Sequence, residues 1–211
     1  MILAGNQPYF LPYISYWQLI NAADVFYIGD DYAYIRHGWI NRNRILFHGD
    51  PEYFGVAVSK TKTSNLIKDM LIAGTDKCRN LKKLYDAYHK APFYETGAQL
   101  AEEILDCSEG SLSEFLISSI KTVCRYLEID TPIRRTSDLE GNCRFRREER
   151  IYDMCSRLGA DTYINAIGGR ELYDADGFDK HGIKLRFIKT GDIVYKQFGD
   201  EFVEKLKQGT L

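Results

Sequence analysis

The chain has 211 residues, enough to bury a substantial core as one domain of ordinary size. Its 28 Lys and Arg against 30 Asp and Glu leave a net charge of −2, so no overall positive field draws nucleic acid or an anionic membrane. Cys78, Cys107, Cys124, Cys143 and Cys155 show no C-x-x-C spacing and accompany no secretory signal, which reads as reduced thiols in a cytosolic protein; the longest apolar run falls far short of the roughly 20 residues that span a bilayer.

The chain opens with an apolar run over residues 1–5, and DVFYIG at 24–29 has the aromatic and β-branched content of a second buried strand. Between them Ile14, Trp17 and Ile20, with Leu19 beside them, keep helical spacing. This is a β-loop-α-β unit. Its loop, NQPYFLPYISYW, crowds aromatics around Pro8 and Pro12; Pro8 holds the loop out of helical geometry, and Pro12 suits the first helical turn. Residues 32–58 carry WINRNRI, then FHGDPEYFGVAV with a turn at Gly49 to Pro51, a hairpin-like pattern.

From about Asp76 to Leu127 the spacing turns helical, with breaks at Ala91-Pro92 and around Ser108 to Ser111, and with Asp76 and Ser111 as caps. Leu81, Leu84, Leu100, Ile104, Leu116, Ile120 and Leu127 are the expected core of three helices. Next, REERIYDMCSRLG reads as a helix burying Ile151, Met154, Cys155 and Leu158 and stopped by Gly159. DTYINAI is a strand, GGRELYDADGFDKHG a loop and short helix, and IKLRFIK a strand, a second β-loop-α-β unit. The pattern predicts a single α/β domain over residues 1–211: a mainly parallel, Rossmann-like sheet flanked by helices, with a helical insertion or lid at 76–127.

In such a sheet ligands sit beyond the carboxyl ends of the strands, near a switch in strand order. Three segments are expected there: Asn6-Gln7-Pro8-Tyr9, Asp30-Asp31, and Gly168-Gly169-Arg170. Two glycines allow positive φ and close backbone approach to an anion, with Arg170 as a bidentate partner; a tight connection with a solvated arginine is the competing reading. Asp30 and Asp31 could supply a general base or hold Mg²⁺ with substrate phosphates, or could cap a turn. Since neighbours along a strand face opposite ways, one of the two is expected to serve the site.

Trp39, Asn41, Arg42, Asn43 and Arg44 form a polar cluster suited to clamping phosphate and stacking on a sugar or base, or a solvated strand face. His37 lies between Asp31 and this cluster and is the histidine of interest; His48, His89 and His181 read as turn or helix-surface residues. No histidine has metal-ligand or triad spacing, so no structural zinc is expected, and no G-x-S-x-G, P-loop, kinase signature or full G-x-G-x-x-G occurs.

QPYFLPYISYWQLINAADVFYIGDD, WINRNRI, YHKAPFYE and LGADTYINAIGGRELYD, in that order, resemble the WbqC-like family over about residues 1–197. Proteins of this type are associated with bacterial O-antigen and capsule gene clusters. The resemblance implies an enzyme that transfers an amino-acid or acyl group to a nucleotide-linked amino sugar, or else a non-catalytic nucleotide-sugar-binding or scaffold protein. It implies a shared pocket of Gln7, Pro8, Tyr9, Pro12, Asp30, Asp31, Trp39, Asn41, Arg42, Asn43, Tyr94, Gly168, Gly169 and Tyr173, with the aromatic loop as its wall and Arg42 as a second phosphate clamp. Amino-acid transfer needs activation of the carboxylate, which ATP with Mg²⁺ can supply, Asp30 or Asp31 being the candidate metal ligand.

Three departures from the family pattern stand out. Asn6 occupies a position where many relatives carry histidine, and Ser15-Tyr16-Trp17 replaces a Gly-Tyr-Phe. The chain ends at EFVEKLKQGTL where relatives continue through an apolar helix, so the cover of the sheet is expected to be shortened or supplied by another subunit. The aromatics of YHKAPFYE could line the pocket, pack the helices or form a homodimer contact.

Overall fold

A computed structural model describes residues 1–48, 50–59, 64–106 and 110–191. In chain order the elements are β1 (Ile2–Asn6), α1 (Ile14–Asn21), β2 (Val25–Ile28), β3 (Arg42–Phe47), β4 (Asp50–Gly55), β5 (Ala57–Ser59), β6 (Leu71–Gly74), α2 (Lys77–Tyr88), α3 (Tyr94–Leu105), α4 (Leu112–Tyr126), β7 (Ile133–Arg135), α5 (Arg147–Leu158), β8 (Thr162–Ala166), α6 (Ala175–Lys180) and β9 (Lys184–Ile188). Gly49, Cys107, Ser108 and the EFVEKLKQGTL segment lie outside the described residues. The described chain divides into two compact units, one of residues 1–8, 13–32 and 124–191, the other of 9–12 and 33–123.

The first unit is the α/β layer structure that the sequence predicts. Its sheet has the order β7-β2-β1-β8-β9, and every neighbouring pair is parallel. From β1 the chain builds outward through β2 to β7, then returns to the other side of β1 with β8 and continues to β9. The switch in direction therefore falls between β1 and β8. On one face Leu3, Tyr27 and Tyr163 pack with Ile151, Met154 and Cys155 of α5 and with Phe178 and Ile183. On the other, Tyr16 of α1 meets Phe26 edge-on with ring centroids 5.4 Å apart. Alternating side chains along each strand supply both faces, which is why these strands read as continuous apolar runs.

Local signals place most boundaries. Gly159 takes the left-handed conformation (φ +66°), and its N–H returns to the Cys155 carbonyl, ending α5 as expected. Pro12, expected inside α1, instead precedes it: Tyr13 is still extended (ψ 157°), and its carbonyl takes the Tyr16 N–H, so the first helical residue is Ile14. Being in that first turn also leaves Ile14 40 % exposed, whereas Trp17, Leu19 and Ile20 are buried. Strand β7 was not legible; three residues carry too little pattern for a period to register.

The second unit holds two antiparallel hairpins, β3–β4 and β5–β6, and the helices α2, α3 and most of α4. The first hairpin is the one expected around Gly49 to Pro51; the second, with a register irregularity at Ala57 and Val58, was missed. Ser111 caps α4 through its hydroxyl, which accepts the Glu114 N–H. Asp76 adopts φ 44° and makes no side-chain cap bond; its carbonyl takes the Asn80 N–H instead. Ile104, Leu116 and Ile120 are core, Leu81, Leu84 and Leu100 are half-buried, and Leu127, beyond the end of α4, is exposed.

Phe10 is fully buried in this unit, 5.9 Å from the stacked ring of Phe115 and 5.2 Å from Phe54. Its own carbonyl and that of Leu11 accept from the Asn43 amide. The aromatic loop is thus fastened by a core side chain and a polar clamp. Phe10→Ala is expected to destabilise the protein by about 3–5 kcal/mol in urea unfolding, while Phe10→Leu costs much less; equal, small losses for both would contradict the packing described.

Candidate functional site

All five strands of the sheet end on one edge, at Asn6, Ile28, Arg135, Ala166 and Ile188. The predicted convergence of Gln7, Asp30-Asp31 and Gly168-Gly169-Arg170 beyond that edge follows from this register. Within it the residues play different parts.

Asp30 and Asp31 lie in the turn after β2, past the strand's alternation, so both carboxylates swing onto the same segment, Thr136-Ser137, beyond β7. Asp30 is 1 % exposed and accepts from the Ser137 N–H (3.1 Å) and hydroxyl (2.7 Å). Asp31 accepts the Thr136 hydroxyl at 2.6 Å, and Nη2 of Arg150 sits 2.8 Å from each of its oxygens. Arg150 is itself buried on α5; its Nε donates to Asn142 (2.9 Å), whose amide donates back to the Arg150 carbonyl and to Asp153. The guanidinium also covers the Tyr32 ring at 4.4 Å.

Tyr32 in turn lies against Gly29, where a Cβ would come within 2.4 Å of the ring; only glycine allows that approach. Both carboxylates are thus buried and already hydrogen-bonded within the protein. Among the described residues no three His, Cys, Asp or Glu side chains gather as a metal-binding group.

Around β8 the chemistry is of another kind. Asn165 accepts the Ala166 N–H on its carbonyl oxygen (2.7 Å), which fixes the amide's orientation. Its NH2 group is therefore turned to Tyr173 and donates to the hydroxyl oxygen at 2.6 Å. Burial pushes the Tyr173 phenol up, while hydrogen bonds from Tyr163 and Asn165 pull it back down. Tyr163, fully buried, is raised well above the usual phenol range by desolvation first and by its neighbour Tyr173 second. Burial likewise raises Tyr32.

Gly168 and Gly169 lie in a 3-10 turn (Ile167–Leu172), and neither adopts positive φ, correcting that expectation. A Cβ at Gly169 would make ordinary van der Waals contact with Asn165 and Tyr173, which places this turn against those two side chains. Arg170 is exposed. Gln7 contributes its carbonyl to the Tyr16 hydroxyl and its N–H to Asn6.

The remaining sequence-predicted residues belong to the second unit. Asn41 is held between the Tyr34 hydroxyl and the Val56 carbonyl, both at 2.7 Å. Asn43 clamps the Phe10–Leu11 carbonyls as above. Arg42 gives its Nε to the Gly38 carbonyl and Nη2 to that of His37, while stacking 4.1 Å over Tyr53. Arg44 stacks over Trp39, and Trp39 and Tyr53 are themselves in ring contact. The cluster read as a phosphate clamp is thus largely committed to main-chain carbonyls and aromatic faces.

His37 is an exposed residue at φ 65°. Tyr9 is half-buried, its phenol raised by desolvation. Tyr94 pairs edge-on with Tyr85 on the helices. His48, His89 and His181 are exposed at turns or helix ends, as expected.

Sequence reasoning missed Arg150, Asn142, Thr136 and Asn165. For Arg150 a signal existed: it stands four residues before Met154, on the apolar stripe of α5, where a charge needs a buried partner. Breaking that pair is expected to cost about 3–5 kcal/mol. In urea unfolding, Arg150→Met and Asp31→Asn should each destabilise strongly, and the double variant should lose far less than the sum of the two. Additive losses would contradict the pairing.

Residues 7–207 match the WbqC-like protein family. The chain is also similar to a protein of Mycobacterium tuberculosis named as the uncharacterized protein Rv1507c, with 30% identity over 202 residues, covering 93% of this chain and 86% of the relative. No solved structure matches the chain. No helix among the described residues is long and apolar enough to cross a membrane. With all but the first six and last four residues inside the match, the chain belongs to the WbqC-like protein family.

Proposed function

We propose that this protein acts in making bacterial surface polysaccharide of the O-antigen or capsule kind, moving an amino-acid or acyl group onto a nucleotide-linked amino sugar. The observation that carries the reading is the switch in strand order between β1 and β8, with oriented polar groups at its carboxyl edge. Parallel α/β sheets bind their ligands at that location because strand ends diverge there and leave a crevice. In this reading the sugar nucleotide lies beside Gly168 and Gly169, the Arg170 guanidinium meets a phosphate, and Tyr173 and Gln7 meet the sugar or its acyl partner. Asp30 and Asp31 hold the edge in shape. Arg42, occupied by two carbonyls, takes no part.

Formation of an amide from a free carboxylate is uphill in water, so an amino-acid donor arrives activated or is activated by ATP with Mg²⁺. A second reading, a nucleotide-sugar-binding or scaffold protein of the same pathway, is favoured by one observation: both candidate carboxylates are buried and hydrogen-bonded within the protein.

Thermal unfolding in the presence of dTDP-, UDP- and GDP-sugars, and of ATP with and without Mg²⁺, tests the shared part. One nucleotide class should raise Tm, and Arg170→Ala should remove most of that rise; no shift with any of them at concentrations far above a plausible Kd would overturn the reading. Release of AMP or ADP from Mg·ATP with glycine and the stabilising sugar nucleotide marks the ATP-dependent enzyme, and tight binding without turnover marks the scaffold.

A further inference from the structure

The geometry around β8 points to a specific role for two side chains: the Tyr173 hydroxyl donates a hydrogen bond to an oxygen of the bound ligand, and Asn165 is the positioning residue that turns that hydroxyl outward. The identity of the ligand rests on the function proposed above; the polarity of the site does not.

The Ala166 N–H, at the end of β8, donates to the Asn165 side-chain oxygen at 2.7 Å. An amide has one oxygen and one NH2, so fixing the oxygen fixes the nitrogen. That nitrogen lies 2.6 Å from the Tyr173 oxygen. It has only protons to offer, so the phenol oxygen is the acceptor there, and its own proton must point elsewhere. The adjacent phenol of Tyr163 acts in the same sense, as a donor toward Tyr173.

Among the described residues no hydrogen bond from the Tyr173 hydroxyl to an acceptor is found: Asn165 and Tyr163 are its hydrogen-bond neighbours, Phe178 and Phe187 flank its ring, and the nearby Glu148 carboxylate receives the Asp174 N–H. Tyr173 is partly exposed, and Gly169 beside it adds no side chain that would cover it. A phenol held this way keeps its proton at neutral pH and offers it to one class of partner, an oxygen with negative or partial negative charge. A phosphate oxygen of a nucleotide and a carboxylate or acyl carbonyl oxygen of a donor share that chemistry.

The test uses full-length protein labelled at tyrosine Cζ with ¹³C, in which the Tyr173 signal is the one missing from Tyr173→Phe. The probes are UDP-N-acetylglucosamine, inorganic pyrophosphate and acetate. The assignment predicts that at least one probe moves the Tyr173 signal and binds about tenfold or more weakly to Tyr173→Phe. It also predicts that Asn165→Ala raises the midpoint of Tyr173 titration, because a donor to the phenolate has been lost.

Movement with pyrophosphate and the sugar nucleotide identifies a phosphate oxygen as the acceptor. Movement with acetate alone upholds the donor and identifies a carboxylate or carbonyl oxygen, while counting against the sugar nucleotide at this site. A Tyr173 signal that no probe moves, or equal affinities for wild type and Tyr173→Phe, overturns the donor assignment; an unchanged titration midpoint in Asn165→Ala overturns the positioning role.

Discussion

The buried ion pair between Asp31 and Arg150 is the interaction on which the first unit depends. It joins the turn beyond β2 to the face of α5, 119 residues away along the chain, and each partner is almost wholly removed from water. A charge so placed is tolerable only when its partner and the remaining hydrogen bonds are all present. They are: Thr136 completes Asp31, Asn142 completes Arg150, and the Tyr32 ring closes over the guanidinium. Asp30 adds a parallel tie through Ser137. The carboxyl ends of β2 and β7 and the start of α5 are thereby locked to one another.

That lock divides the labour along the sheet edge. Groups around β2 have satisfied one another, so they confer shape. Groups around β8 are oriented by the backbone and partly exposed: the Asn165 amide is fixed by the Ala166 N–H, and its nitrogen meets the Tyr173 phenol. A binding site needs the second kind of arrangement resting on the first, since a donor aims well only when its support is rigid. The same logic explains the arginine-aromatic cluster of the second unit, where Asn41, Asn43 and Arg42 spend their polar atoms on carbonyls of the hairpin and its neighbouring loop.

Much of the fold was legible because it rests on local signals. Gly159 in its left-handed turn, the apolar spacing of Ile151, Met154 and Cys155, and the continuous apolar strands each carry their meaning within a few residues. The site was legible in part. Strand order and loop position brought Gln7, Asp30, Asp31 and Gly168 to one edge, but the use of each group was set by partners far away in sequence. Asp31 reads as a reactive carboxylate until Arg150 is beside it. Likewise, Gly168 and Gly169 read as a positive-φ turn until the backbone places them in a 3-10 turn without it. Strand β7 and the β5–β6 hairpin escaped notice because short strands gain their identity from the neighbour they pair with.

Hydrogen exchange of the full-length protein, followed by mass spectrometry with and without saturating sugar nucleotide, addresses the division between a locked β2 edge and a receptive β8 edge most directly. The account predicts slow exchange in residues 28–32 and 136–142 whether or not ligand is present, and ligand-induced slowing concentrated in residues 165–173. Ligand-induced slowing in residues 28–32 with 165–173 unchanged would contradict it, because the buried carboxylates would then be the groups that respond.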